Sequence, residues 1–143
     1  MNDKTKIYLA APLFSVPELE FNLTLVLLLQ DNCPGVETFL PQKIEYVNSE
    51  QIFEACRQGV LEADIVLAVL DGADADSGTA WECGYAYAQA TPVVALRTDI
   101  RQSGDSGGFN AMLLGCAVQA ISGQHWKQEL IDCINQLVKV LNN

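Results

Sequence analysis

Asp64-Ile-Val-Leu-Ala-Val-Leu70, broken at once by Asp71-Gly72, is the stretch that decides the fold. Every position after the opening acid is apolar. An uninterrupted apolar run of this length, closed by a turn signal, reads as a central parallel strand covered on both faces. Its surroundings alternate accordingly. Upstream, Glu50–Glu62 has helical spacing, with Ile52, Cys56 and Val60 at i, i+4 and i+8. Downstream, Ser77–Ala90 reads as a helix and Pro92–Leu96 as a further strand.

The same rhythm extends to both ends. Lys6–Ala10 is a short strand ended by Ala11-Pro12, and residues 16–31 form a helix with Leu19, Leu23, Val26 and Leu27 on one stripe. Val36–Leu40 is a strand closed by Pro41. Cys116–Ile121 supplies a fifth strand, and Gln124–Leu141 a last amphipathic helix with Leu130, Cys133, Ile134, Leu137 and Leu141 inward. Alternation of this kind predicts a doubly wound α/β fold, with a five-stranded parallel sheet in the flavodoxin-like order 2-1-3-4-5 and helices on both faces. The 143 residues make one domain, 1–143. Ligands of such sheets bind outside the carboxyl ends of the strands, which points to Ala10–Ser15, Asp71–Thr79 and Arg97–Asp105.

Charge narrows the partners. The formal net charge is −10, from 18 acidic and 8 basic residues. Such a surface repels nucleic acid and anionic membrane and accepts a neutral or cationic small molecule. The first residues run straight into a strand rather than an export signal, and no apolar run reaches the roughly 20 residues of a membrane span, so a cytoplasmic location is expected. Five cysteines stand far apart without a C-x-x-C pair, and His125 is the sole histidine. No metal, disulfide framework or cofactor is expected.

Chemistry concentrates after the central strand. Asp71, Asp74 and Asp76 crowd the loop, and Glu82 follows Gly78 by one helical turn. No Lys or Arg occurs between Arg57 and Arg97, an interval holding six acids. Clustered carboxylates raise one another's pKa and favour nearby positive charge. Glycosidic cleavage passes through an oxocarbenium-like state that an acidic crevice stabilises. Gly78, lacking a side chain, would let a ligand approach the helix. Simpler roles fit the same residues: Asp74 or Asp76 as helix cap, Glu82 as a surface acid, and Gly72, Gly78 and Gly84 as turn, helix entry and close packing.

The motifs together resemble the nucleoside 2-deoxyribosyltransferase family. The resemblance runs through Ile7-Tyr-Leu-Ala-Ala-Pro-Leu-Phe14, Leu40-Pro-Gln42 and Ala63-Asp-Ile-Val-Leu-Ala-Val-Leu-Asp-Gly72. Its most specific part is Asp76-Ser-Gly-Thr-Ala-Trp-Glu-Cys-Gly-Tyr-Ala86, followed by Pro92-Val-Val-Ala95. It implies a retaining double displacement in which Glu82 attacks the anomeric carbon, ionised in the free enzyme, and a second nucleobase or water accepts the sugar. Tyr8 is then the residue that orients the nucleophile, and Asp76 the acid that contacts the base. Gln42 is a nucleobase contact, with Asp71 and Gly78 beside the substrate. Asn110, in Phe109-Asn-Ala-Met112, resembles the element that reaches into a neighbouring subunit's site, and Met112 accompanies it. A homodimer or larger homo-oligomer with shared sites follows, acting on nucleosides and free nucleobases. One departure stands out: where family members carry a sugar-contacting aspartate, eight residues before the opening acid of the central strand, this chain has Cys56.

Three alternatives compete with this reading. A hydrolase of the same architecture acting on nucleoside 5'-monophosphates needs a phosphate cradle, which Arg97, Arg101 and Ser106-Gly-Gly108 would supply. A phosphoacceptor signalling domain would use Asp71, but it also needs paired acids where Ala10-Ala11 stands. Dinucleotide binding lacks its glycine-rich fingerprint.

Overall fold

In the computed structural model, which describes residues 4–101 and 104–143, the sheet runs β2-β1-β3-β4-β5 with every neighbouring pair parallel. This is the flavodoxin-like order. The strands are β1 (Thr5–Ala10), β2 (Val36–Phe39), β3 (Ile65–Val69), β4 (Val93–Leu96) and β5 (Ala117–Ile121). The helices are α1 (Val16–Asn32), α2 (Ser49–Glu62), α3 (Ser77–Ala88), α4 (Ala111–Cys116) and α5 (Trp126–Leu141). A short 3-10 turn, Pro41–Lys43, follows β2. Short α4 was not anticipated. Its Leu113 and the preceding Phe109 pack into the chain's own core, while Met112 stands 82% exposed.

Period-two alternation sends each strand's side chains to two separate cores. Ile7, Leu9, Ile65, Leu67, Val94 and Leu96 face α1 and α5. Tyr8, Ala10, Val66, Ala68, Val93 and Ala95 face the other side, with Val60 of α2 and Cys83 and Ala86 of α3. On that side Ala10 pairs with Ala68, and Ala68 with Ala95. This row of alanines gives α3 a shallow floor, and the helix rests on it through Thr79, Cys83 and Ala86.

The stripe on α1 differs from the sequence reading. The buried residues are Asn22, Leu25, Val26 and Leu29, whereas Leu23 and Leu27 are exposed. Apolar residues surround α1 on nearly every side, so periodicity alone could not choose the inner face. A polar residue, Asn22, occupies it because its amide is needed there. On α5, Leu130 and Ile134 are buried as anticipated, and Leu141 at the last position of the helix is not.

Candidate active site

Cys83 points into the core, so its predecessor Glu82 is turned sideways along α3, over the end of β1. There the Tyr8 hydroxyl donates to Glu82 Oε2. Tyr8 is wholly buried, its ring stacked on Phe39 at 5.4 Å. The ring has room only because α2 carries a glycine above it. A Cβ at Gly59 would lie 2.8 Å from Tyr8 Cε2 and 3.1 Å from Phe39 Cε1.

Burial pushes the Glu82 carboxyl up to about 7, with the charge of Asp76 adding to the rise and the Tyr8 hydrogen bond opposing it. The side chain is therefore partly protonated near neutral pH. This differs from the expectation of a fully ionised free carboxylate, because desolvation outweighs the single hydroxyl that would stabilise the charge. Burial first, and then the charge of Glu82, holds the Tyr8 phenol well above its ordinary value, so Tyr8 remains a donor. The Cys56 thiol neighbours both groups, and burial raises it too. The position that departs from the family pattern thus lies beside the Tyr8–Glu82 pair.

Glu82, Cys56, Asp76, Gly78 and Gln42 line one cavity of about 720 Å³. Its wall is completed by Leu13 and Phe14 from the β1–α1 loop, Ile44 and Tyr46 after the 3-10 turn, and Ile52, Phe53 and Trp81 from α2 and α3. Among the described residues no Lys or Arg lines it. A capping box fixes the first loop: Glu18 accepts from the backbone N–H groups of Phe14 and Ser15, both at 2.8 Å. Buried Asn22 ties two walls together, donating at 3.0 Å to Pro12 O and at 3.0 Å to Gln42 Oε1. The Gln42 amide in turn donates to Leu19 O at 3.1 Å.

Asp76 performs the capping role that its position allowed. Its Oδ2 accepts from Thr79 N at 2.9 Å and Thr79 Oγ1 at 3.0 Å. Capping and cavity lining coexist, since the cap stands at the cavity edge. A Cβ at Gly78 would press on this same oxygen at 3.2 Å.

Not every anticipated residue joins the cavity. Asp71 accepts from Thr98 N and Thr98 Oγ1, each at 2.5 Å, and from Asp99 N at 3.2 Å. It ties the end of β3 to the end of β4. Asn110 caps α4, accepting from Met112 N at 2.9 Å and Leu113 N at 3.3 Å. With Met112 it lines a separate groove of about 540 Å³ on the opposite flank of α3, bounded by Ala80, Gly84 and Tyr87. The proposed phosphate cradle is also differently employed. Arg97, only 5% exposed, holds Asp99 at 2.9 Å and donates to the carbonyls of Leu70 and Gly72. Arg101 reaches Asp99 at 3.7 Å; Gln102 and Ser103, in the third predicted ligand loop, lie outside the described residues.

Sequence reasoning missed Asn22, Gly59 and the aromatic wall. A lone Asn in an apolar helix and a Gly inside a helical pattern were the available signals. The aromatic wall left none, because its four members come from four different loops and helices. Among the described residues no three His, Cys, Asp or Glu side chains are placed to hold a metal, and no helix is long and apolar enough to cross a membrane.

Comparison with known proteins agrees with this architecture. Residues 7–125 match the nucleoside 2-deoxyribosyltransferase family, and the chain belongs to it. A conserved protein from Enterococcus faecalis V583 superposes with a TM-score of 0.79 at 33% identity, over 93% of this chain and 98% of that one. The 2-deoxyribosyltransferase of Bacillus psychrosaccharolyticus aligns at 26% identity and a TM-score of 0.67, covering 91% and 90%. The CMP N-glycosidase BcmB of Clostridium botulinum shares the fold at 19% identity, with a TM-score of 0.61 and coverage of 91% and 98%. No curated protein sequence matches the chain.

Proposed function

We propose that the chain is a nucleoside 2-deoxyribosyltransferase with Glu82 as its nucleophile. The observation that carries this reading is the Tyr8–Glu82 hydrogen bond, set in the wall of a cavity without a basic residue. The ionised Glu82 oxygen attacks the anomeric carbon, and the electron pair of the C–N bond leaves with the base. Asp76, at the cavity edge, faces the base and handles its proton. A second nucleobase then displaces Glu82 from the sugar ester, with water as the competing acceptor. Tyr8 fixes the carboxylate rotamer and steadies its charge during the first step. Gln42, immobilised by Asn22 and Leu19, contacts the base, and Gly78 lets the ligand approach α3.

Asp71 is given a structural part here, holding the loop that carries Asp76 against β4. Asn110 and Met112 are assigned to contact with a second copy in a homo-oligomer, since Met112 stands exposed beside the groove on α3. The same cavity would hydrolyse nucleosides when no acceptor base is present. Action on 5'-monophosphates is disfavoured because the cavity wall has no cation and Arg97 is committed to Asp99.

The test is covalent trapping. Incubation with an arabino-fluoro deoxynucleoside, followed by peptide mass spectrometry, should place one sugar on Glu82, and Glu82→Gln should lose turnover by several orders of magnitude. A sugar on another residue, or near-native turnover by Glu82→Gln, would sink the reading.

A further inference from the structure

We infer that the outer part of the Glu82 cavity is a subsite for an apolar group, so that the preferred nucleobase carries an alkyl or aryl substituent. This rests on the glycosyl-transfer reading, which places the sugar against Glu82 and the base beyond it. Three observations support it. The first is the wall. Away from Glu82 the cavity is bounded by Leu13, Phe14, Ile44, Tyr46, Phe53 and Trp81, and none of these side chains can match the polar edge of a base by paired hydrogen bonds.

The second is the shortage of available polar groups. Gln42 can read a base edge only with what its own contacts leave: its carbonyl oxygen already accepts from Asn22 and its amide already donates to Leu19 O, so one N–H and one lone pair remain. Beside it stand Asp76 and the single polar groups of Tyr46 and Trp81, with Glu82 and Cys56 at the sugar. An unsubstituted base would bury several donors and acceptors against apolar surface, which costs binding free energy. An alkyl or aryl group would bury carbon against carbon.

The third is exposure. Six aromatic side chains are exposed among the described residues: Phe14, Phe39, Tyr46, Phe53, Trp81 and Tyr87. Four of them, all but Phe39 and Tyr87, converge on this cavity. Phe53 meets Trp81 edge-on at 5.3 Å, and Tyr85 stacks behind Trp81 at 5.2 Å, so the Trp81 ring is braced in place. Apolar surface concentrated in one concave place marks a ligand contact. The volume of about 720 Å³ lies in the upper part of the range of about 300–1,000 Å³ typical of small-molecule sites. It leaves room beyond a sugar and a bare base.

Calorimetric binding of free bases to the intact protein tests this without requiring any bond to break. N6-benzyladenine should bind at least about tenfold more tightly than adenine, since an aryl group is transferred from water to an apolar wall. Phe53→Ala and Tyr46→Ala each remove an exposed ring, so folding survives, and each should reduce that ratio about threefold or more. Equal or weaker binding of the benzyl compound, or a ratio unchanged in both variants, would overturn the inference. Turnover of 2'-deoxyadenosine and its N6-benzyl derivative is followed in parallel. If neither is cleaved, the glycosyl-transfer reading fails, while the free-base ratio still decides the subsite. If both are cleaved without the binding preference, only the subsite is wrong.

Discussion

The Tyr8 hydroxyl donates to the Glu82 carboxylate across 74 residues of chain. The contact is made by two elements whose separation the fold fixes: β1 in the middle of the sheet, and α3 lying on the alanine row formed by Ala10, Ala68 and Ala95. The donor cannot drift, because Phe39 stacks on one side of its ring and Gly59 of α2 closes over it.

Tyr8→Phe should therefore change both rate and pH dependence. The lost hydroxyl had opposed the rise of the Glu82 carboxyl, so without it the carboxyl moves further above about 7. In the proposed mechanism the ionised form attacks, so activity should rise with pH through this value, and the rising limb of the kcat/KM profile should shift to higher pH in the variant. A kcat loss of about 10–100-fold is expected, with a smaller change in KM. An unshifted limb would mean that Tyr8 is packing alone.

Glu82 also sets a trend in stability. Its carboxyl titrates near 4.5 when unfolded and at about 7 in the folded protein. Between these values the native state holds a proton that the unfolded chain has released. Stability therefore falls as pH rises from 4.5 to about 7 and is level above. Glu82→Gln should abolish this slope, gaining up to about 3 kcal/mol at pH 8 and almost nothing at pH 4. Urea denaturation of both proteins at the two pH values measures it, and an equal gain at both would refute the assignment.

Gly59→Ala isolates positioning from chemistry. The added methyl group would meet Tyr8 Cε2 at 2.8 Å, and Phe39 leaves the ring no retreat. A misplacement of order 1 Å in a catalytic group costs about 100-fold. Turnover should fall toward the Tyr8→Phe level although every reacting group is retained. A double variant with Tyr8→Phe should then show little further loss. Full additivity of the two effects would argue that Gly59 acts elsewhere.

How much of this was legible in advance follows from the kind of signal each feature leaves. The sheet order was readable because Asp64–Leu70 is apolar throughout and the helices alternate with the strands. Glu82 and Asp76 were readable as acids without local cations, and Tyr8 through the family resemblance. The wall was not legible: Phe14, Tyr46, Phe53 and Trp81 stand on different loops and helices and have no common period. Asn22 was hidden because hydropathy patterning assigns amides to solvent, whereas this one holds Pro12 and Gln42 together. Asp71 illustrates the reverse error. Its place at the end of β3 suited a ligand contact, yet the backbone N–H groups of Thr98 and Asp99 are nearer claimants.

Asp76 offers the sharpest separation of scaffold from chemistry, because the proposed function adds a second role to the cap in one side chain. As N-cap it accepts from Thr79 N and Thr79 Oγ1. Asn caps as well as Asp, so Asp76→Asn should remain within about 0.5 kcal/mol of the parent, whereas Asp76→Ala should lose about 1 kcal/mol. On the base side the ordering differs. Neither variant can deliver a proton, so both should be slowed on purine and pyrimidine deoxynucleosides whose leaving base needs one. Both should recover with a good leaving group that departs unprotonated. Losing the Asp76 charge also removes one cause of the raised Glu82 carboxyl, so the pH at which Glu82 ionises should fall in each variant. Thermal melts, kcat for poor and good leaving groups, and the pH profile then form one experiment. If activity tracked stability, falling in Asp76→Ala and persisting in Asp76→Asn for every substrate, Asp76 would be a cap and nothing more.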